Sequence, residues 1–200
     1  MVVSHTNAEN QNETKPVDEP YLVPADPDRM DEIKSSVESI FPVVYHTDFY
    51  TKLFSKDTFM QILCTPADNK IIGLFALRLS TEQTVDLGGA NVDCAECLDS
   101  GSNDFNLDTV REKKFMYVIL LGVVEKFRGG GYGKILLREI DSISVAYGIR
   151  HIMLHVQISN LRAIEFYYKS GFKLVKLINN YYNNVYPKDA FLLRKCLYSQ

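Results

Sequence analysis

Apolar residues recur along the chain with two different periods, and together these periods predict a mixed α/β fold. Apolar residues at every third or fourth position predict helices over 28–40, 131–146 and 160–170, and a short helix or helix pair over 49–63. Runs rich in branched and aromatic residues predict strands over 70–79, 114–124, 151–156, 172–177 and 190–197. Because strands alternate with helices, we expect a central mixed sheet with βα crossovers, flanked by helices.

Two segments have no sustained apolar period. Residues 1–20 contain almost nothing to bury and are predicted to form a disordered N-terminal tail. Residues 80–114 combine scattered Asp, Ser and Gly, and a stretch of this length without periodicity is unusual inside a compact domain. We therefore predict one domain over 21–200, interrupted by an acidic and largely mobile insertion at about 80–114.

The charge is distributed unevenly along the chain. The 200 residues have a formal net charge of -3, but the tail alone contributes -3 and the 80–114 segment contributes -5. The remainder therefore has a charge of +5 and is mildly basic, which suits an anionic ligand.

Several classes of protein are disfavoured by the composition. The longest apolar run, Phe115–Val124, is too short to span a bilayer, and residues 1–20 lack the pattern of a signal peptide. The four Cys do not form a disulfide scaffold, and the C-x-x-C at Cys94 and Cys97 lacks the second pair or the His that a zinc site needs. We expect a cytoplasmic globular protein with no metal site, no membrane segment and no direct nucleic-acid site.

The most distinctive motif is the glycine-rich stretch RGGGYGK over 128–134, which directly follows the strongest predicted strand and opens a helix. Glycines at such a junction let the backbone approach a ligand, and the helix start offers N–H groups and a positive dipole to a phosphate. The spacing excludes a Walker A loop, since Ile135 stands where Ser or Thr is needed, and Lys134 interrupts the dinucleotide pattern. A glycine-rich turn without a ligand is the alternative.

Within this stretch, Arg128, Gly131 and Gly133 form the pattern R-x-x-G-x-G, which resembles the acetyl-CoA diphosphate loop of the GNAT acetyltransferases. The order of strand, loop, helix, strand and helix is also that of the family. The resemblance implies the GNAT fold and acetyl-CoA as cofactor, with backbone N–H groups near Val123 polarising the thioester carbonyl. The implied cofactor-binding residues are Leu121, Val123, Arg128, Gly129, Gly130, Gly131, Tyr132, Gly133, Lys134, Asn160 and Tyr167, although Asn160 fits a helix N-cap equally well.

The C-terminal half is similar to one branch of this family, the NatE-type N-terminal acetyltransferases. The similarity rests on LHVQISN over 154–160, on NYY over 180–182, and on the upstream FPV over 41–43. It implies acetylation of protein N-termini, with a preference for Met followed by an apolar residue and possible action on some lysines. The implied partners are nascent polypeptides and the auxiliary and catalytic subunits of the NatA complex at the ribosome. The implied substrate-binding residues are Phe41, Pro42, Val43, Tyr45, Ile119, Tyr181 and Tyr182.

The same similarity places the catalytic groups at His155 and Tyr117, acting as general base and proton relay through an ordered water. Chemistry supports a modest base, because an α-amine has a pKa of about 7.7–8.0 and histidine titrates close to neutral pH. A structural role for either residue is the alternative, as is ordinary core packing for Phe41. Two other functions stay open: a non-catalytic docking subunit of an acetyltransferase complex, and acetylation of lysine or a small amine.

Overall fold

The computed structural model describes residues 19–43, 45–81 and 114–197. The strands of this part of the chain are β1 (Tyr21–Pro24), β2 (Thr58–Cys64), β3 (Ile71–Thr81), β4 (Lys114–Val123), β5 (His151–Gln157), β6 (Lys173–Ile178) and β7 (Ala190–Cys196). The helices are α1 (Met30–Ile40), α2 (Thr47–Leu53), α3 (Tyr132–Ala146) and α4 (Leu161–Lys169), with short 3-10 turns at Pro27–Arg29 and Glu125–Phe127. The predicted mixed α/β architecture is confirmed.

The strands form one seven-stranded sheet in the order β1-β2-β3-β4-β5-β7-β6. Neighbouring strands are antiparallel except β4 and β5, which run parallel and are connected through α3. Helices α1 and α2 pack on one face and α3 and α4 on the other, and each buries apolar residues against the sheet. The parallel pair therefore lies near the middle of the sheet, between the two helical layers.

The prediction of helix over 49–63 was wrong in its second half. Helix α2 ends at Leu53, and residues 58–64 form strand β2. Met60 and Ile62 pack toward α1 and α2, whereas Leu63 packs toward α3 and α4, so β2 is covered on both faces. A strand buried on both faces loses the alternation of apolar and polar residues, and its spacing then imitates a helix. The four-residue edge strand β1 is too short to show any period.

Close contact between α1 and β4 depends on a glycine. A Cβ atom at Gly122 would lie 2.3 Å from Ile40 Cγ2 and 3.1 Å from Phe41 Cζ. The missing side chain therefore lets the end of α1 touch the strand directly. This contact places the FPV turn over 41–43 beside the middle of the sheet.

We expect Gly122→Ala to lower the free energy of unfolding by about 1–3 kcal/mol, because the added methyl group overlaps Ile40 in a packed core. Denaturant unfolding followed by circular dichroism measures the effect. Gly133→Ala is the matched control, since its Cβ would lie at an ordinary 3.4 Å from Phe166. Equal stability of the two variants would show that α1 does not press against β4.

The predicted tail, apart from Glu19 and Pro20, lies outside the described residues, as do residues 82–113 of the predicted insertion and its C-x-x-C. Within the described ranges, no helix combines the length and apolar character needed to cross a membrane.

Candidate active site

The glycine-rich loop has the backbone geometry of an anion cradle. Gly131, at the N-cap of α3, adopts φ +82°, and Gly129 adopts φ +90°, a region that side-chain-bearing residues rarely enter. A Cβ atom at either position would meet no other atom within 4 Å, so both face open space. The N–H groups of Lys134 and Ile135 donate to the Gly131 carbonyl. The amides before them start the helix, where N–H groups lack an acceptor within the helix and the dipole is positive.

The side chain of Arg128 turns away from this cradle. Its Nε donates to the Val123 carbonyl at 2.9 Å, and its Nη2 donates to the Ile40 carbonyl at 3.4 Å. The guanidinium thus joins the end of β4 to the end of α1. Sequence analysis predicted Arg128 only as a cofactor-binding residue.

Strands β4 and β5 stay paired over a short distance only. Their register consists of Met116 with Ile152 and Tyr117 with Met153. Just beyond this point β4 has a bulge in its pairing with β3. Ala76 pairs with Leu120 and Leu77 pairs with Val118, so Ile119 is the extra residue. Residues 118–123 of β4 thus continue beyond the ladder with β5, and a gap between parallel strands is where a ligand can enter a sheet. The predicted cofactor residues Leu121 and Val123 lie on this stretch.

Tyr117 and His155 meet where the two strands diverge. Tyr117 faces Met153 across the ladder, and His155 follows two residues later on the same face of β5. The Tyr117 hydroxyl is hydrogen-bonded to His155 Nδ1 at 2.9 Å and to the Tyr181 hydroxyl at 2.9 Å. The Tyr181 ring stacks on the imidazole with centroids 4.1 Å apart. The structure therefore unites both predicted catalytic residues with one predicted substrate-binding residue.

The Tyr117 phenol is held in its protonated form. Burial, followed by the electrostatic effect of Tyr181 and the hydrogen bond with it, raises the pKa of Tyr117 well above its usual value of 10, while the positive charge of Arg78 acts in the opposite direction. Near neutral pH this side chain is therefore protonated and can act as a hydrogen-bond donor.

Two further groups of aromatic residues belong to loops, one before α2 and one after β6. Tyr45, before α2, stacks on Phe49 at 4.1 Å and meets Phe41 edge-on at 6.5 Å. Tyr181 and Tyr182, after β6, contact each other edge-on at 4.9 Å. Burial, and the nearby phenols of Tyr50 and Tyr181, raise the pKa of Tyr45 to about 12. The two walls are thus close enough to interact electrostatically.

The remaining predicted substrate-binding residues lie on β4 and in the turn after α1. Ile119 is half-buried and packs against both the α1–α2 core and the small cluster around Tyr117. Pro42 is exposed and Val43 is half-buried in the turn after α1.

The loop that contains Tyr181 and Tyr182 is fixed to the end of β5. The Tyr182 N–H donates to the Lys188 carbonyl at 2.8 Å, and the Asn180 N–H donates to Asp189 Oδ1 at 2.9 Å. The Gln157 Nε2 donates to the Pro187 carbonyl at 2.7 Å. Sequence analysis gave none of these anchoring residues a role, although Gln157 lies within the LHVQISN motif.

Sequence analysis also missed Arg78, the register partner of Tyr117 on β3. Its half-buried guanidinium is the positive charge that acts on the Tyr117 phenol. A single charged residue inside the apolar run KIIGLFALRL was the available signal.

Two predicted cofactor residues lie on the helix that follows β5. The Asn160 Oδ1 accepts the Ala163 N–H at 3.2 Å, so this side chain is the N-cap of α4. Tyr167 is buried, with its ring against Phe166 and Phe172, and burial raises the pKa of its phenol. The Tyr167 phenol also contributes, after burial and the phenols of Tyr181 and Tyr45, to the raised pKa of Tyr182.

Among the described residues, no group of three or more His, Cys, Asp and Glu is placed to hold a metal ion. Cys64 is buried and Cys196 is half-buried, and neither forms a disulfide within the described residues.

Comparisons with known proteins give the family of this chain. The model of the acetyltransferase (GNAT) family matches residues 30–172. N-alpha-acetyltransferase 50 of Danio rerio is 38% identical over 94 residues, which cover 46% of this chain and 56% of the relative. The probable N-acetyltransferase san of Drosophila melanogaster is 36% identical over 92 residues, covering 46% of this chain and 50% of the relative. The chain thus spans about half the length of these curated relatives.

Solved structures show the same fold over most of the chain. Arabidopsis thaliana Naa50, in complex with the bisubstrate analogue CoA-Ac-MVNAL, superimposes with a TM-score of 0.64 at 25% identity, covering 89% of this chain and 99% of that chain. Arabidopsis thaliana NAA60 in complex with acetyl-CoA gives a TM-score of 0.72 at 21% identity, covering 90% and 99% of the two chains.

Proposed function

Because this chain belongs to the GNAT acetyltransferase family, we propose that it transfers the acetyl group of acetyl-CoA to the α-amino group of protein N-termini. Met followed by an apolar residue is the proposed preferred start. The main support is the position of the Tyr117–His155 pair, which is hydrogen-bonded to Tyr181 where β4 and β5 diverge. The relatives named N-alpha-acetyltransferase 50 and san support the same activity.

The residues of the glycine-rich loop fit the diphosphate of acetyl-CoA. The open cradle at Gly129 and Gly131, the amides at the start of α3, and the charge of Lys134 would hold this group. Tyr117 and Val123 are six residues apart on β4, about 20 Å along an extended strand. A ligand anchored at the loop therefore reaches Tyr117 only through a long and narrow arm, and the pantetheine of coenzyme A is such an arm. When bound, acetyl-CoA supplies a thioester carbonyl as the acceptor for the amine.

The protein groups around the amine would remove its proton. An α-amine with a pKa of about 7.7–8.0 is largely protonated at neutral pH, and only its neutral form is a nucleophile. In one consistent arrangement Tyr181 donates to Tyr117 and Tyr117 donates to His155 Nδ1. The Tyr117 oxygen would take a proton from the substrate ammonium group while the Tyr117 hydroxyl proton moves to Nδ1, which leaves a neutral amine and a protonated imidazole. The phenol remains neutral before and after this transfer.

The two aromatic walls would select the first residue of the peptide. Phe41, Tyr45 and Tyr182 offer apolar ring surface beside the reactive cluster, which suits the flexible thioether of Met. The NatA subunits at the ribosome are the proposed partners, on the basis of the family resemblance described above.

A peptide panel tests this proposal. The peptides differ only in their first two residues (Met-Leu, Met-Asp and Ser-Leu), and a fourth is Met-Leu with a blocked α-amine and an internal lysine. Each peptide is incubated with acetyl-CoA, and the product is detected by mass spectrometry. We expect kcat/KM for Met-Leu to exceed that for Ser-Leu by roughly 10-fold or more, because Ser lacks the apolar contacts that the Met side chain makes with the pocket. Product from the blocked peptide alone would replace this function with lysine acetylation.

A further inference from the structure

We infer that the Arg128 side chain is a positioning residue for the peptide-facing wall, rather than a ligand of the cofactor. This inference deepens the proposed function and rests on it. Its basis is the pair of hydrogen bonds from the guanidinium to the carbonyls of Val123 and Ile40, which we call the Arg128 clamp.

The clamp acts at a point where helix α1 needs a partner. Ile40 is the last residue of α1. The final carbonyls of a helix accept no hydrogen bond from an N–H group of the same helix. A guanidinium that donates to this carbonyl satisfies it and also places a positive charge at the negative end of the helix dipole. Helix α1 has no basic residue of its own in its last turn. Arg128 thus supplies from the loop what the helix sequence lacks.

The clamp and the Gly122 contact hold the same segment from two sides. Gly122 lets Ile40 and Phe41 approach β4, and Arg128 ties Ile40 to the end of that strand. Phe41 directly follows Ile40, and its ring contacts the Tyr45 ring edge-on. The position of this aromatic wall is therefore set from the glycine-rich loop. The Arg128 side chain would therefore connect the anion-binding loop with the wall that binds the peptide.

The geometry also explains why arginine is needed at this position. Two carbonyls on separate elements require a side chain with several donors in a fixed plane, and guanidinium has five N–H groups. A lysine ammonium is a single point with three donors and a flexible stem. It keeps the charge but is poorly shaped to reach both carbonyls together.

The test compares Arg128→Met and Arg128→Lys with the matched control Arg138→Met, which removes an exposed positive charge from α3. At saturating acetyl-CoA, we expect Arg128→Met to raise KM for the Met-Leu peptide roughly 10-fold while kcat falls less than about 3-fold. The Kd of Arg128→Met for acetyl-CoA, measured by calorimetry, should lie within about 3-fold of the Kd of Arg138→Met. The peptide KM of Arg128→Lys should lie between those of the parent and Arg128→Met. A large loss of acetyl-CoA affinity with unchanged peptide KM would instead make the guanidinium a cofactor ligand and overturn the inference.

Hydrogen exchange gives a readout that does not depend on activity. The Phe41 N–H donates to the Val37 carbonyl at 2.9 Å, so its exchange reports the order of the α1 end. We expect Arg128→Met, and not Arg138→Met, to speed exchange of this amide by roughly 10-fold while both variants keep the circular dichroism of the parent. If the parent acetylates no peptide, the proposed function fails and this measurement alone decides the clamp. Unchanged exchange in Arg128→Met would refute it.

Discussion

Replacing His155 with alanine is expected to reduce kcat for the Met-Leu peptide by roughly 10²-fold or more, because the imidazole is the final proton acceptor in the proposed relay. Tyr117→Phe should cause a loss of similar size. It keeps the ring and removes the hydroxyl that bonds both His155 and Tyr181. The rates are measured at saturating acetyl-CoA and peptide, and thermal unfolding verifies that both variants remain folded.

Combining the two substitutions separates a shared relay from two independent effects. Groups that act as one unit lose little more together than singly, so the double variant should fall within about 3-fold of the slower single variant. His151→Ala is the matched control, since His151 lies at the start of the same strand and outside the cluster. Its kcat should stay within about 2-fold of the parent. Parent-like turnover in His155→Ala and Tyr117→Phe would remove both residues from the mechanism.

We expect the pH dependence of kcat/KM near neutral pH to arise from a group other than the Tyr117 phenol. Since the pKa of Tyr117 is raised well above its usual value, this side chain remains protonated throughout the neutral range. Tyr117→Phe should therefore lower kcat/KM at every pH between 6 and 9 by about the same factor. A limb of the profile that disappears in Tyr117→Phe would show that the phenol itself titrates there.

Gly131→Ala is expected to weaken acetyl-CoA binding by roughly 10²-fold, by two effects that act together. Alanine is strained at φ +82°, and its Cβ projects into the open space where the diphosphate is proposed to lie. Isothermal titration calorimetry with acetyl-CoA and with coenzyme A measures the loss. Both ligands should be affected alike, because the cradle contacts the part that they share.

Gly148→Ala is the control that isolates the strain. Gly148 also has a positive φ, +67°, with open space at its Cβ position, but it lies after α3 at the opposite end of that helix. We expect a similar loss of stability, about 1 kcal/mol, and an unchanged Kd for acetyl-CoA. If Gly131→Ala binds acetyl-CoA like the Gly148 variant, the loop is not the diphosphate site.

Much of the fold and of the candidate site could be predicted from local pattern. Strands β3 to β5 and helices α1, α3 and α4 were predicted to within a few residues, because each has a long apolar period or run. The glycine-rich loop was recognised from residues adjacent in sequence, and its positive φ values are what such glycines provide. The prediction failed at β2, where burial on both faces removed the periodic signal.

The sequence by itself determined the order of the elements from β3 onward and the position of the glycine-rich loop, since both depend on neighbouring residues. Only the tertiary structure decided that Tyr117, His155 and Tyr181, from three separate elements, form one hydrogen-bonded cluster. It also decided that Arg78 faces the reactive phenol, and that the Arg128 guanidinium is turned toward α1. The reason is physical. Hydrogen bonds and electrostatic effects act over a few ångströms in space, and strand register and helix packing determine which distant residues come that close.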